Sequence, residues 1–196
     1  MEGTNPVNKK LAAALSGGAV LVLALSGCSS DDNNDKLNSW AKQVCDAVQP
    51  QAKKIEAANA AIQKQTSDNS KPEDVQKTDS QAFQDMSDAY KAIGAAVTKA
   101  GAPDVDNGEK KQQDAVKELN SISASYASLK KQVDELDTKD QGKFADGLKD
   151  VATELDKLST SGSDALKTLE EGDVGKAMAE QESCKSASTT PSATNG

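Results

Sequence analysis

Three cysteines, Cys28, Cys45 and Cys184, are the most reactive side chains in this chain, and no histidine accompanies them. A thiol can be alkylated, joined to a second thiol, or used as a nucleophile once ionised. The absence of histidine removes the commonest general base and the commonest zinc ligand. It also excludes the Glu-x-x-His pairs of carboxylate-bridged metal bundles. No spacing singles out a Ser–Lys dyad, so no residue is assigned a catalytic role and the chain reads as non-enzymatic.

The acidic residues are the next candidates. Asp104-Val105-Asp106-Asn107-Gly108 begins like a calcium loop, but Gly108 comes one position too early, and Ala115 stands where the bidentate Glu belongs. This segment reads as a helix N-terminus with its cap residues. Asp134-Glu135-Asp137-Asp140 and Glu170-Glu171-Asp173 read as solvated surface or helix ends, so neither a metal nor a cofactor is expected. The aromatics are Trp40, Phe83, Tyr90, Tyr126 and Phe144, and their default place is the core. If a ligand pocket exists, Trp40, Met86, Tyr90 and Tyr126 are its candidate lining.

The N-terminus carries the clearest signal. Lys9 and Lys10 precede the apolar run Leu11–Leu25, which as a helix is about 22 Å long at ~1.5 Å per residue. That falls short of the ~30 Å hydrocarbon core of a bilayer, so the run reads as a signal-peptide core and not a permanent span. It closes on Leu25-Ser26-Gly27-Cys28. This motif resembles the lipobox of bacterial lipoproteins, an aliphatic residue and two small residues before Cys. The resemblance implies diacylglyceryl transfer to the Cys28 thiol, cleavage before it, and anchoring at the extracytoplasmic face of the cell membrane. With Cys28 lipidated in an exported chain, Cys45 and Cys184 remain to form a disulfide. Lipobox, length and Cys pair together make the chain similar to the small secreted lipoproteins of actinomycete bacteria. The polar prefix before the basic pair also suggests that translation starts at Val7 instead of Met1.

Charge narrows the partners. The net charge is −8 and all 23 cations are lysines, a poor basis for neutralising phosphates, so nucleic acid is not expected. Anionic lipid head groups would repel the same surface, leaving the covalent anchor as the membrane attachment.

The rest of the chain supplies elements to position these residues. Leu37, Ala41, Val44, Val48, Gln51, Ile55, Ala58 and Ile62 alternate spacings of four and three, a helical seam. Pro50 inside it predicts a kink or break near 48–50. A second seam runs through Phe83, Met86, Tyr90, Ile93 and Val97, with Gly101 and Pro103 to end it. A third runs through Ala115, Leu119, Ile122, Tyr126, Leu129, Val133 and Leu136, and a fourth through Phe144, Leu148, Val151, Leu155 and Leu158. Ser70 to Glu73 and Thr138 to Gln141 have capping-box spacing. Leu166, Leu169, Val174 and Ala177 predict a shorter fifth helix bent at Gly172-Asp173. The stretch Leu169–Ala177 resembles one tetratricopeptide turn, but lacks the repeat and reads as a plain helix–turn–helix.

These seams predict an all-α domain: an antiparallel up-down bundle of four main helices plus a shorter C-terminal helix. An intermolecular coiled coil is the alternative use of the same heptads. The expected organisation is a signal peptide over 1–27, a lipidated flexible tether over 28–35, the bundle over 36–184 and a disordered tail over 185–196. The expected function is a binding or interaction module of the cell envelope, its partner another envelope protein or a cell-wall component. The alternative is a small-molecule carrier or sensor with a ligand between helices near Tyr90 and Tyr126.

Overall fold

The computed structural model describes residues 29–65, 70–161 and 164–188, and every regular element among them is helical. Residues 1–28, where a signal peptide, a lipobox-like motif ending at Cys28 and a start at Val7 are expected, lie outside the described residues. The helices are α1 (Ser29–Gln65), α2 (Pro72–Ala100), α3 (Gly108–Asp134), α4 (Gln141–Ser161), α5 (Asp164–Glu170), α6 (Asp173–Glu180) and α7 (Glu182–Ser188).

The apolar seams turn inward because only one face of each helix can leave water. Burial divides them into two clusters. Leu37, Trp40, Ala41 and Val44 of α1 meet Val97, Ala115, Leu119, Leu169, Val174 and Ala177 in the first. Ala58, Ala82, Phe83, Met86, Leu129, Val133 and Val151 form the second. At the level between them, buried Ser87 and Ser123 exchange hydrogen bonds across α2 and α3. Each hydroxyl donates to the other residue's backbone carbonyl at 2.8 Å. Small side chains there let the two backbones approach, and the polar groups remain satisfied.

Contacts along α2 and α3 run in opposite directions. The Gln76 amide donates to the Val133 carbonyl at 2.9 Å, Gln112 donates to Val97, and a Cβ on Gly94 would meet Leu119 at ordinary contact distance. On the other side of α2, the Trp40 indole N–H donates to the Gly101 carbonyl at 2.8 Å, while Ala58 shares a cluster with Ala82. Gly101 ends α2 with φ of 79°, a conformation that costs glycine little, and its N–H bonds back to Thr98. Among the described elements α4 packs chiefly on α3, and α5 lies against α3 as well, where Lys111 donates to the Thr168 carbonyl. Helices α6 and α7 pack against α1.

Several local expectations are corrected. The stretch 29–35, expected to be a flexible tether, belongs to α1. Its acidic residues fall at the helix N-terminus, where the helix dipole favours negative charge. Of the kink or break expected at Pro50, the break does not occur: the helix continues through it. Pro50 is exposed, so the carbonyl that loses its in-helix partner stays within reach of water. Helix α2 starts with Pro72 in its first turn, but Lys71 and not Ser70 precedes it, and the Ser70 hydroxyl donates back to the Gln65 carbonyl. At α4 the cap is Asp140 and not Thr138: one carboxylate oxygen accepts from the N–H groups of Gly142 and Lys143. The segment before α3 has Asn107 left-handed, with φ of 58° and no side-chain cap. The predicted fifth helix is two, α5 and α6, and residues 185–188 of the expected tail lie in α7.

Candidate functional site

Of the four residues singled out as a pocket lining, Tyr90 packs against the first cluster and Tyr126 against the second. Trp40 is buried in the first cluster and Met86 in the second. Tyr90 and Tyr126 do meet: their rings stack across α2 and α3 with centroids 5.6 Å apart and planes 10° from parallel. Phe83 tilts against Tyr126 at 6.2 Å. Burial raises both phenols above their ordinary range, and Tyr126, also opposed by Tyr90, is pushed up to about 12. Gln51, the one polar position of the first seam, has its Oε1 buried without a hydrogen-bond partner. By the pairing of Trp40 with Gly101 and Ala58 with Ala82, Gln51 stands level with Tyr90.

A more open feature lies between α1 and α2. Ala57, Ala58, Ala61 and Gln65 face Asp74, Lys77, Thr78, Gln81, Ala82 and Asp85 across a groove of about 570 Å³. Its floor is methyl groups and its rim is polar. Helix α4, which packs chiefly on α3, leaves this face uncovered. The sequence signal for the groove was the run Ala57-Ala58-Asn59-Ala60-Ala61. Of that run the first seam takes in Ala58 alone and leaves Ala57 and Ala61, which lie beside it on the helix, outside the buried stripe.

Cys45 and Cys184 are joined in a disulfide, with Cα atoms 5.0 Å apart, across 139 residues of sequence. The bond ties α7 to α1. Cys45 is wholly buried, whereas Cys184 lines a cavity of about 530 Å³ with Glu170, Gly175, Met178, Ala179 and Lys185.

The acidic groups are engaged locally. Asp134 accepts from Lys130 and Ser80, in that order of effect, and is held below the usual carboxylate range. Asp140 is lowered chiefly by the backbone N–H of Lys143, and Asp173 by Lys176. Glu170 is raised by burial. Asp104 lies 3.6 Å from Lys36. Among the described residues no three potential metal ligands gather into one site. The described helices include none long and apolar enough to cross a membrane.

Sequence reasoning missed Asp79. This carboxyl is buried on α2, one turn before Phe83, and burial pushes its pKa up to about 6. It lay outside the acidic clusters searched for chemistry, because a lone acid on a helix ordinarily faces water.

Compared with known protein-family models, with curated protein sequences and with solved structures, the chain matches none.

Proposed function

We propose that this chain is a lipoprotein anchored through Cys28 at the extracytoplasmic face of the cell membrane, where its helical domain acts as a non-enzymatic binding module of the envelope. The domain is an antiparallel up-down bundle; the opposed pairings of Trp40 with Gly101, Ser87 with Ser123 and Gln76 with Val133 support that topology. The observation that carries the binding reading is the uncovered groove between α1 and α2. Helix α1 begins at Ser29, directly after the anchoring residue. Ala57 is then roughly 42 Å along that helix at ~1.5 Å per residue. The groove therefore stands at the end of the domain away from the lipid, where a helix of another envelope protein can lie on an alanine floor.

Two measurements test this. Mass spectrometry of the native protein should find Cys28 acylated and residues 1–27 gone; a free thiol with the leader attached would refute the anchor. A photo-crosslinking residue at exposed Ala61, in intact cells, should give a discrete adduct with an envelope protein, and the same residue at exposed Asp150 of α4 should not. Free monomer alone from both positions would end the binding reading.

The second reading, a small-molecule carrier or sensor, draws on Gln51. Its unpartnered oxygen stands level with stacked Tyr90 and Tyr126, a polar group that a ligand could satisfy. Thermal-shift screening with apolar and metabolite libraries checks it, since a ligand for the folded state raises the midpoint by mass action. Ligand-induced shifts that survive in Gln51→Leu would exclude this location.

A further inference from the structure

We propose that the Cys45–Cys184 disulfide is a thiol-operated latch. A dithiol reductant enters from the Cys184 side, opens the bond in the folded chain, and frees α7 while the other helices keep their packing.

Three observations support the latch. The first is access. Cys45 is 0% exposed, so no reagent reaches its sulfur while the first cluster is intact, whereas Cys184 is partly exposed and borders the 530 Å³ cavity. The charged residues lining that cavity are Glu170 and Lys185, one of each sign, so the wall offers no net repulsion to a thiolate.

The second is the kind of contact α7 makes with α1. None of residues 182–185 is buried, and the Ser183 hydroxyl donates an exposed hydrogen bond to Asp46 of α1, a carboxylate that also accepts from Lys42. A seven-residue helix is too short to persist alone in water. The third is that α6, its neighbour, does not need the bond. Val174 and Ala177 of α6 are buried in the first cluster with Leu37 and Ala41. Release therefore stops at the Gln181 break between α6 and α7.

The chemistry balances with a dithiol as the only co-reactant. Its thiolate bonds to Cys184 Sγ, the Cys184–Cys45 bond breaks, and Cys45 leaves as a thiolate that takes up a proton. The second thiol of the reductant then attacks its own sulfur in the mixed disulfide and releases Cys184. Two electrons and two protons pass to the protein, and the reductant ends as a disulfide. The freed segment uncovers the Cys45 face of α1, so the thiol state of the surroundings sets which surface the domain presents.

The test uses the full oxidised chain in native buffer with dithiothreitol, followed by alkylation, peptide mapping and hydrogen exchange. Both Cys45 and Cys184 should be alkylated once the bond has opened, and with a monothiol in place of dithiothreitol the mixed disulfide should be found on Cys184; an adduct on Cys45 refutes that side of entry. Exchange should rise over 182–188 and stay unchanged over 72–134. A bond that opens only once denaturant is added overturns the latch. So does reduction that raises exchange throughout α2 and α3, or that leaves α7 protected. The Cys184→Ser chain, which cannot form the bond, should show the raised exchange over 182–188 without any reductant; α7 as protected there as in the oxidised parent overturns the latch. If that variant does not fold, reduction of the unaltered chain still decides.

Discussion

Replacing Asp79 with Asn should stabilise the domain at neutral pH and leave it nearly unchanged in acid. Asp79 is 8% exposed, and among the described residues no cation or hydrogen bond compensates its charge. Burial therefore raises the carboxyl from the ordinary 3.8 to about 6. The folded state keeps a proton that the unfolded chain gives up, so the benefit is complete below the unfolded value. It is lost as pH climbs from about 4 to about 6, and stability stays lower above that. A shift of about two units at ~1.36 kcal/mol each sets a ceiling near 3 kcal/mol, and residual solvent contact brings the expectation to ~1–3 kcal/mol. Other acids tilt the absolute curve the other way: Asp134, Asp140 and Asp173 are held below the usual range and lose stabilisation on acidification. The difference between variant and parent isolates Asp79. Urea unfolding from pH 3.5 to 8 should show Asp79→Asn matching the parent near pH 4 and exceeding it at pH 7. A variant less stable at pH 7, or an offset independent of pH, would refute the reasoning.

Other positions give sharper structural tests. Ser87→Ala and Ser123→Ala should each cost ~1 kcal/mol in urea unfolding, because each removes one hydrogen bond to a carbonyl that still serves its own helix. The double variant should cost less than the sum, since the two hydroxyls lie 3.2 Å apart in one coupled pair of hydrogen bonds. Gln76→Ala should lower stability by ~1 kcal/mol and speed amide exchange at the C-terminal end of α3, where the carbonyls of Val133 and Asp134, and of Leu136 just beyond the helix, lose their donor. Gly175→Ala would set a methyl carbon 1.8 Å from the Glu170 carbonyl oxygen. Separating α5 from α6 should cost ~1–3 kcal/mol as read by the thermal midpoint.

Helix positions were legible because their signal is local. The third seam from Ala115 to Val133 needs only a 3.6-residue period and one dry side, and Leu119, Ile122, Leu129 and Val133 are all buried. Gly101 and Pro72 were legible for the same reason: their backbone restrictions hold wherever they occur. Caps were less so. Ser70 and Thr138 have the right spacing, yet Lys71 and Asp140 take the positions, because several polar residues compete within one turn and the backbone path chooses among them.

What depended on the whole molecule was everything set by how one helix lies along another. The register of α1 on α2 puts Trp40 beside Gly101, in a different cluster from Met86, although Tyr90 and Tyr126 of the same sequence grouping stack on each other. The same register opens the alanine groove, and that of α2 on α3 seats Ser87 on Ser123. Periodicity says which face of a helix is dry. It carries no information on the sliding of one dry face along another, and that is settled only when all the side chains pack at once.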